Sequence, residues 1–111
     1  MEITHTETSG VVIIAIQGQL DAATAPNAQE AIRTILAAGH DRLLFDLSLL
    51  EYLSSDGLRI ILGTAKQLAT RGGKIVLCAL TNYVQEIFEV THLMSLLPIK
   101  KTVEAGLLEF K

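Results

Sequence analysis

Apolar and polar residues alternate along the chain in a pattern typical of an α/β protein. Three largely apolar segments, residues 11–16, 42–50 and 74–80, have the length and composition of strands buried in a sheet. Residues 2–8 are polar with β-branched residues interleaved, and Ser9-Gly10 follows them as a turn signal. Residues 2–8 and 11–16 therefore predict an N-terminal β-hairpin.

Between the strands, apolar residues recur at helical spacing behind residues that favour helix starts. We expect the first helix to begin at Asp21 or Thr24, with Pro26 in its first turn. We expect the second to begin at Ser54 or Ser55. Its predicted buried face is the most regular apolar stripe of the sequence: Leu58, Ile61, Leu62, Ala65, Leu68 and Ala69.

Two further helices and a short strand are predicted in the last third of the chain. Asn82 with Gln85 resembles a capping box that would start the third helix. Pro98-Ile99 fits a short edge strand, because proline cannot donate a ladder hydrogen bond. Thr102 is a candidate cap for a final helix whose apolar positions are Val103, Leu107 and Leu108.

The predicted order of elements is β-β-α-β-α-β-α-β-α. Strands that alternate with amphipathic helices favour right-handed crossovers and parallel pairing. The sequence therefore predicts an α/β fold: a small mixed, mostly parallel β-sheet with an N-terminal antiparallel hairpin and about four packed α-helices. With 111 residues, of which 50% are hydrophobic, the chain can build one compact core, so we expect residues 1–111 to form a single domain.

Charge and cysteine content narrow the range of partners and compartments. The formal net charge is −3 and no basic cluster is longer than Lys100-Lys101, so we do not expect nucleic acid as a partner. One cysteine, Cys78, cannot build a disulfide framework. The N-terminus lacks a signal-peptide pattern and no apolar run approaches the length of a membrane span, so we expect a cytoplasmic protein without membrane contact.

No arrangement of residues in the sequence points to catalysis. The chain has no glycine-rich nucleotide-binding loop and no nucleophile elbow. His5, His40 and His92 have no partners at metal-ligand spacing, and each is expected at the surface or its rim. Cys78, in the middle of an apolar run, is expected to pack as a small core hydrophobe. We therefore predict a non-enzymatic protein with no metal and no cofactor.

The segment from Leu53 to Leu58 lies where a predicted strand passes into the second helix, the edge at which α/β proteins usually carry their functional surface. A serine there serves as an N-cap, or as a phosphorylation site, because the N–H groups and dipole at a helix start favour a phosphate. Asp21 and Asp46 are each compatible with a cap or turn acceptor and with an acidic rim around the serine. The local pattern leaves these alternatives open.

Four motifs together resemble the STAS domain of bacterial anti-sigma-factor antagonists. They cover nearly the whole chain in the family's order: Gly18-x-Leu20-Asp21-x-x-Thr24, Phe45-Asp46-Leu47, Ser54-Ser55-Asp56-Gly57-Leu58 and Gly72-Gly73-Lys74-Ile75-Val76-Leu77-Cys78. The resemblance implies that the protein binds an anti-sigma factor that is also a serine kinase, and so releases a sigma factor. It also implies that this kinase phosphorylates a serine of a D-S-[ST]-G motif, that the complex then dissociates, and that a serine phosphatase reverses the modification.

Alignment of that motif on Gly57 implies that Ser55 is the phosphoacceptor. Ser54 stands where the family has an aspartate, and Asp56 stands where it has a second hydroxyl residue, so the acidic group follows the acceptor instead of preceding it. By the same resemblance, Asp21 matches the acidic residue of the loop beside the phosphoserine. The partner-binding surface implied by the resemblance comprises Asp21, Thr24, Ser54, Ser55, Asp56, Gly57, Leu58 and Arg59.

Two other interpretations compete with this one. A STAS subunit can regulate a different partner, such as a transporter ATPase or a multi-protein signalling complex, and would dock through the same helix. A response-regulator receiver domain has a similar size and element order, with Asp46 as its phosphoaspartate. A receiver also needs an acidic pair after its first strand to hold Mg²⁺, whereas only Glu2 and Glu7 precede Val11, and they are well separated.

Overall fold

One mixed six-stranded sheet with four helices contains the whole chain; the structure, a computed structural model, describes residues 1–111. The elements are β1 (Glu2–Thr8), β2 (Val11–Leu20), α1 (Ala25–Ala37), β3 (Arg42–Asp46), β4 (Leu50–Leu53), α2 (Ser55–Thr70), β5 (Lys74–Cys78), α3 (Asn82–Val90), β6 (Ile99–Lys100) and α4 (Val103–Leu108). The strand order is β1-β2-β3-β5-β6, and β4 pairs with β2. Only the β1–β2 hairpin is antiparallel, so the predicted fold class is confirmed.

Alternation along the central strands divides the apolar side chains between two faces of the sheet. One face packs against α1, α2 and α3 and includes Val12, Ile14, Ile16, Leu43, Phe45 and Leu77. The other face is smaller and packs against α4 and the C-terminal residues; it includes Val11, Leu44, Val76, Cys78 and Phe110. Both faces are covered, which explains why these strands read as continuous apolar runs. None of the four helices has the length and apolar character to cross a bilayer.

The sequence predicted a single strand over residues 42–50, and this prediction was wrong. Strand β3 ends at Asp46, whose Oδ1 accepts a hydrogen bond of 3.1 Å from the Ser48 N–H. The Leu50 N–H then closes a turn onto the Leu47 carbonyl at 3.1 Å. The chain re-enters the sheet as β4, which pairs with the last residues of β2, from Gly18 to Leu20. Strand β2 therefore changes partner along its length, from β3 to β4.

The helices begin at or next to the predicted residues, and the cap of α3 lies one residue earlier than predicted. Thr24 precedes α1 without a side-chain cap, and Ser54 Oγ caps α2 by accepting the Gly57 N–H. Thr102 caps α4 as predicted. Helix α3 is capped by Thr81 and not by the predicted Asn82, because it is the threonine hydroxyl that accepts the Val84 N–H, at 3.3 Å.

The buried face of α2 is rotated by about one residue from the predicted stripe. Its buried residues are Gly57, Ile61, Thr64 and Leu68. The hydroxyl of Thr64 remains satisfied because it donates to the Ile60 carbonyl at 2.8 Å. As a consequence, Leu58 and Leu62 are only half-buried, and they line the surface on the same side as Ser55.

Gly57 allows α2 to lie directly on the end of β2. A Cβ at this position would stand 2.7 Å from the Leu20 carbonyl oxygen and 2.8 Å from Leu53 Cδ1, closer than real side chains approach. The Leu20 oxygen belongs to the backbone and cannot move aside without displacing the strand. The missing side chain therefore fixes the distance between the helix start and the sheet.

Replacing Gly57 with alanine should destabilise the fold by about 1–3 kcal/mol, because the added methyl group overpacks this contact. Gly63 of the same helix is the matched control, since a Cβ there meets no atom within 4 Å. Gly63→Ala should stabilise the protein by about 0.5–1 kcal/mol through helix propensity. Urea unfolding of both variants measures the difference, and equal stability changes would contradict the close approach.

Cys78 is fully buried in the smaller face of the sheet, as expected for a core hydrophobe. Burial, followed by the negative charges of Asp46 and Glu104, raises the pKa of the Cys78 thiol to about 12. The thiolate, which is the reactive form of cysteine, is therefore almost absent at neutral pH. A nucleophilic role for this residue is disfavoured.

Iodoacetamide should leave Cys78 unmodified in the folded protein at about pH 8, because the thiol is both inaccessible and protonated. In guanidinium chloride the same reagent should alkylate it fully, since unfolding restores an ordinary cysteine pKa. Intact-mass spectrometry before and after denaturation gives the result. Rapid alkylation of the native protein would show that the smaller core opens readily.

Candidate functional site

Two loops meet at the carboxyl end of the sheet and form the candidate site. The first follows β2 and contains Asp21 and Thr24; the second is the short connection from β4 to α2 at Ser54, and Ser55 is the first residue of that helix. The Ser54 N–H donates a hydrogen bond of 2.9 Å to the carbonyl of Leu20, the residue before Asp21. This bond joins the two loops. The structure therefore brings together the segments that the sequence analysis singled out.

The loop after β2 is held by hydrogen bonds within itself. Asp21 Oδ1 accepts the N–H groups of Ala23 and Thr24 at 3.0 and 3.1 Å. Thr24 Oγ1 in turn accepts the Asp21 N–H at 2.9 Å and donates to the Gln19 carbonyl at 2.9 Å. Asp21 thus acts as a turn acceptor, and it also lies beside the Ser54 loop.

The two serines have different structural roles. Ser54 is half-buried, and its Oγ accepts the Gly57 N–H at 3.3 Å, so its hydroxyl is used in capping α2. Ser55 is the first residue of the helix and is exposed to solvent. Of the two hydroxyl groups, that of Ser55 is therefore the one accessible to a modifying enzyme.

The charged residues of the first turn of α2 form a pair with each other. Arg59 Nη1 lies 3.3 Å from Asp56 Oδ1, and the Arg59 side chain is 77% exposed. Such an exposed pair contributes at most about 1 kcal/mol and exchanges partners easily. Arg59 also lies one helical turn after Ser55, on the same side of the helix.

A shallow groove of about 380 Å³ runs along α2 from Ser55. It is lined by Ser55, Leu58, Arg59, Leu62, Gly63 and Lys66. Leu62 and Lys66 were not predicted as site residues. Their spacing from Ser55, in steps of three and four residues, is the signal that places them on one helix face.

Asp46 does not belong to the site. It lies in register with Ala15 on one side and Cys78 on the other, whereas the Ser54 loop joins β2 at Leu20. Five residues of strand separate these levels, or about 17 Å. Its oxygen accepts the Ser48 N–H, so the interpretation as a turn acceptor is confirmed for Asp46.

His5 and His92 are exposed and His40 is half-exposed, as expected for surface or rim positions. No three His, Cys, Asp or Glu side chains of the chain lie in an arrangement that could hold a metal ion.

The site offers an exposed hydroxyl, two carboxylates and a groove lined by apolar and basic side chains. This set of groups suits protein binding and modification.

Comparison with known proteins gives matches along nearly the whole chain. Residues 2–106 match the STAS domain family. BtrV of Bordetella bronchiseptica, a candidate anti-sigma factor antagonist, is 35% identical over 111 residues, which cover 100% of this chain and 96% of BtrV. The crystal structure of an anti-sigma factor antagonist from Mycobacterium paratuberculosis is 27% identical and has a TM-score of 0.89, with coverage of 97% of this chain and 92% of that one.

The fold is also that of SpoIIAA, a cell fate determinant of Bacillus whose structure is known in the phosphorylated form. It has a TM-score of 0.78 at 19% identity, and the match covers 99% of this chain and 100% of that one. The predicted order of motifs, the sheet topology and the match over residues 2–106 agree. This chain belongs to the STAS domain family.

Proposed function

We propose that this protein is an anti-sigma-factor antagonist, which binds an anti-sigma factor and thereby releases a sigma factor. The observation that carries the proposal is the exposed Ser55 hydroxyl at the start of α2, beside the Asp21 loop, in a chain whose relatives are anti-sigma factor antagonists or candidates for that role. The binding surface is formed by both loops and by the side of α2 that runs from Ser55 to Lys66. Its residues are Asp21, Thr24, Ser54, Ser55, Asp56, Gly57, Leu58 and Arg59, with Leu62 and Lys66 along the groove.

The anti-sigma factor is proposed to be a serine kinase that modifies Ser55. In that reaction the Ser55 Oγ attacks the γ-phosphorus of ATP, an O–P bond forms, ADP leaves, and the hydroxyl proton passes to a base of the kinase. Ser55 is accessible for this reaction, whereas Ser54 is engaged with the Gly57 N–H. A serine phosphatase would hydrolyse the same O–P bond and restore the hydroxyl.

Phosphorylation of Ser55 would change the charge of the surface without unfolding the helix. The phosphate adds about −1.5 to −2 charges at neutral pH, and it would meet the N–H groups and the positive dipole end at the start of α2. Arg59, one turn away, can leave Asp56 and pair with the phosphate. A partner that contacts this surface with acidic or apolar groups would then be repelled.

Incubation with the cognate anti-sigma factor and ATP should add one phosphate to the protein, on Ser55. Ser55→Ala should remove the labelling completely, because the only other candidate hydroxyl of the motif serves as the helix cap. Ser54→Ala should keep the phosphate on Ser55 and lose about 1 kcal/mol of stability through the missing cap. Peptide mapping by mass spectrometry distinguishes the sites, and phosphate on Ser54 in the wild-type protein would contradict this assignment.

Charge at position 55 should also control the affinity for the anti-sigma factor. Ser55→Glu should weaken binding at least about tenfold, because a buried like charge in an interface is costly, whereas Ser55→Ala should bind as the wild-type protein does. Ser95→Glu is the matched control, since Ser95 is an exposed serine in the loop after α3. Titration calorimetry measures all three variants, and equal affinities for Ser55→Glu and Ser95→Glu would exclude a phosphorylation-controlled interface here.

A further inference from the structure

The only two tyrosines of the chain lie together on the surface, outside the site described above. Tyr52 of β4 and Tyr83 of α3 stack with ring centroids 5.9 Å apart and an angle of 23° between the ring planes. Each is 43% exposed, and Leu49, at the adjacent turn, is 57% exposed. We call Leu49, Tyr52 and Tyr83 the tyrosine patch.

The tyrosine patch rests on a well-held part of the fold. Leu50 and Leu53, the first and last residues of β4, are buried in the main core, and Val84 anchors the start of α3 beside Tyr83. The cap residue of α3, Thr81, bonds to the Leu50 carbonyl at 3.5 Å and so connects the two elements. Large apolar groups held in place at the surface cost little entropy on binding, and tyrosine is common at the centres of protein interfaces.

A groove of about 470 Å³ opens beside the patch, between β4 and the start of α3. It is lined by Gln17, Ser48, Leu49, Leu50, Glu51, Thr81 and Tyr83, so Glu51 is its one charged residue. The groove is apolar on the side of the leucines and the tyrosine ring. It can accept one aliphatic side chain from a partner segment.

The charged side chains of β4 and α3, the two elements that carry the tyrosines, are all acidic. Glu51 precedes Tyr52, and Glu86 lies one helical turn after Tyr83 on the exposed side of α3. No lysine or arginine occurs in β2, in residues 43–58 or in residues 75–99, which include all the elements that form the patch. The complementary partner therefore carries positive charge.

We infer that the tyrosine patch is a docking surface for a basic, apolar segment of another protein. A leucine-like side chain would occupy the groove, while arginine would stack on the exposed tyrosine rings and pair with Glu51 and Glu86. This surface is separate from the proposed phosphorylation of Ser55. It does not depend on the proposed function being correct.

The tyrosines themselves supply the readout. The chain has no tryptophan, so tyrosine emission of the protein arises from this patch alone. The probe is a synthetic amphipathic peptide of leucine and arginine at helical spacing, without aromatic residues, and the control peptide has glutamate in place of arginine. We expect the leucine–arginine peptide to change the emission saturably, whereas the leucine–glutamate peptide leaves it unchanged.

Variants locate the binding surface by calorimetry. Tyr83→Ala should lower the affinity for the leucine–arginine peptide about tenfold, as expected for an aromatic residue central to an interface. The double change Glu51→Gln with Glu86→Gln keeps the shape of the surface and should also weaken binding and reduce its salt dependence. Leu108→Ala is the matched control, because Leu108 is 61% exposed on α4, at the opposite face of the sheet, and should bind normally.

Several results would overturn this inference. They are an absence of binding, equal affinity for the two peptides, or equal affinity of Tyr83→Ala and Leu108→Ala. Ser55→Glu separates this inference from the proposed function, since it should bind the leucine–arginine peptide at least as tightly as the wild-type protein does. Loss of peptide binding in Ser55→Glu would contradict the charge complementarity on which this inference rests.

Discussion

The contact between the start of α2 and the end of β2 determines the geometry of the candidate site. One backbone hydrogen bond joins Ser54 to Leu20, and the missing side chain of Gly57 lets the helix lie against the Leu20 carbonyl. Asp21, in the loop after β2, and Ser55, at the start of α2, are far apart in sequence but are thereby held on neighbouring segments. Because a backbone atom forms one side of this contact, it cannot be relieved by rotating a side chain.

Phosphorylation of Ser55 would leave this contact, and therefore the fold, unchanged. Capping of α2 depends on the Ser54 hydroxyl, and the fold makes no comparable use of the exposed Ser55 side chain. A phosphate on Ser55 would therefore alter surface charge while the cap and the Gly57 contact stay in place. The Asp56–Arg59 pair is too weak to cancel a doubly charged group, so the partner would meet the added negative charge.

Local sequence signals predicted most of the elements, because buried strands, helix caps and turns each depend on a few neighbouring residues. The break after Asp46 was missed, because Asp46 and Ser48 interrupt a segment that is otherwise largely apolar, and only the change of partner along β2 separates its two halves into different strands. The rotated face of α2 was missed because its buried ridge includes Gly57 and Thr64, which carry little apolar signal. Both errors concern tertiary contacts, which neighbouring residues in the sequence do not determine.

The two proposed surfaces lie close together and should respond differently to charge. Tyr52 and Ser55 are three residues apart, so their Cα atoms are within about 11 Å, near the Debye length at physiological ionic strength. A phosphate on Ser55 would therefore extend the acidic field of Glu51 and Glu86 towards the tyrosine patch. A partner held at α2 through acidic or apolar groups would be released, whereas a basic segment at the patch would be retained or bound more tightly. Partner exchange on one small domain would then follow from the sign of the charge each partner presents.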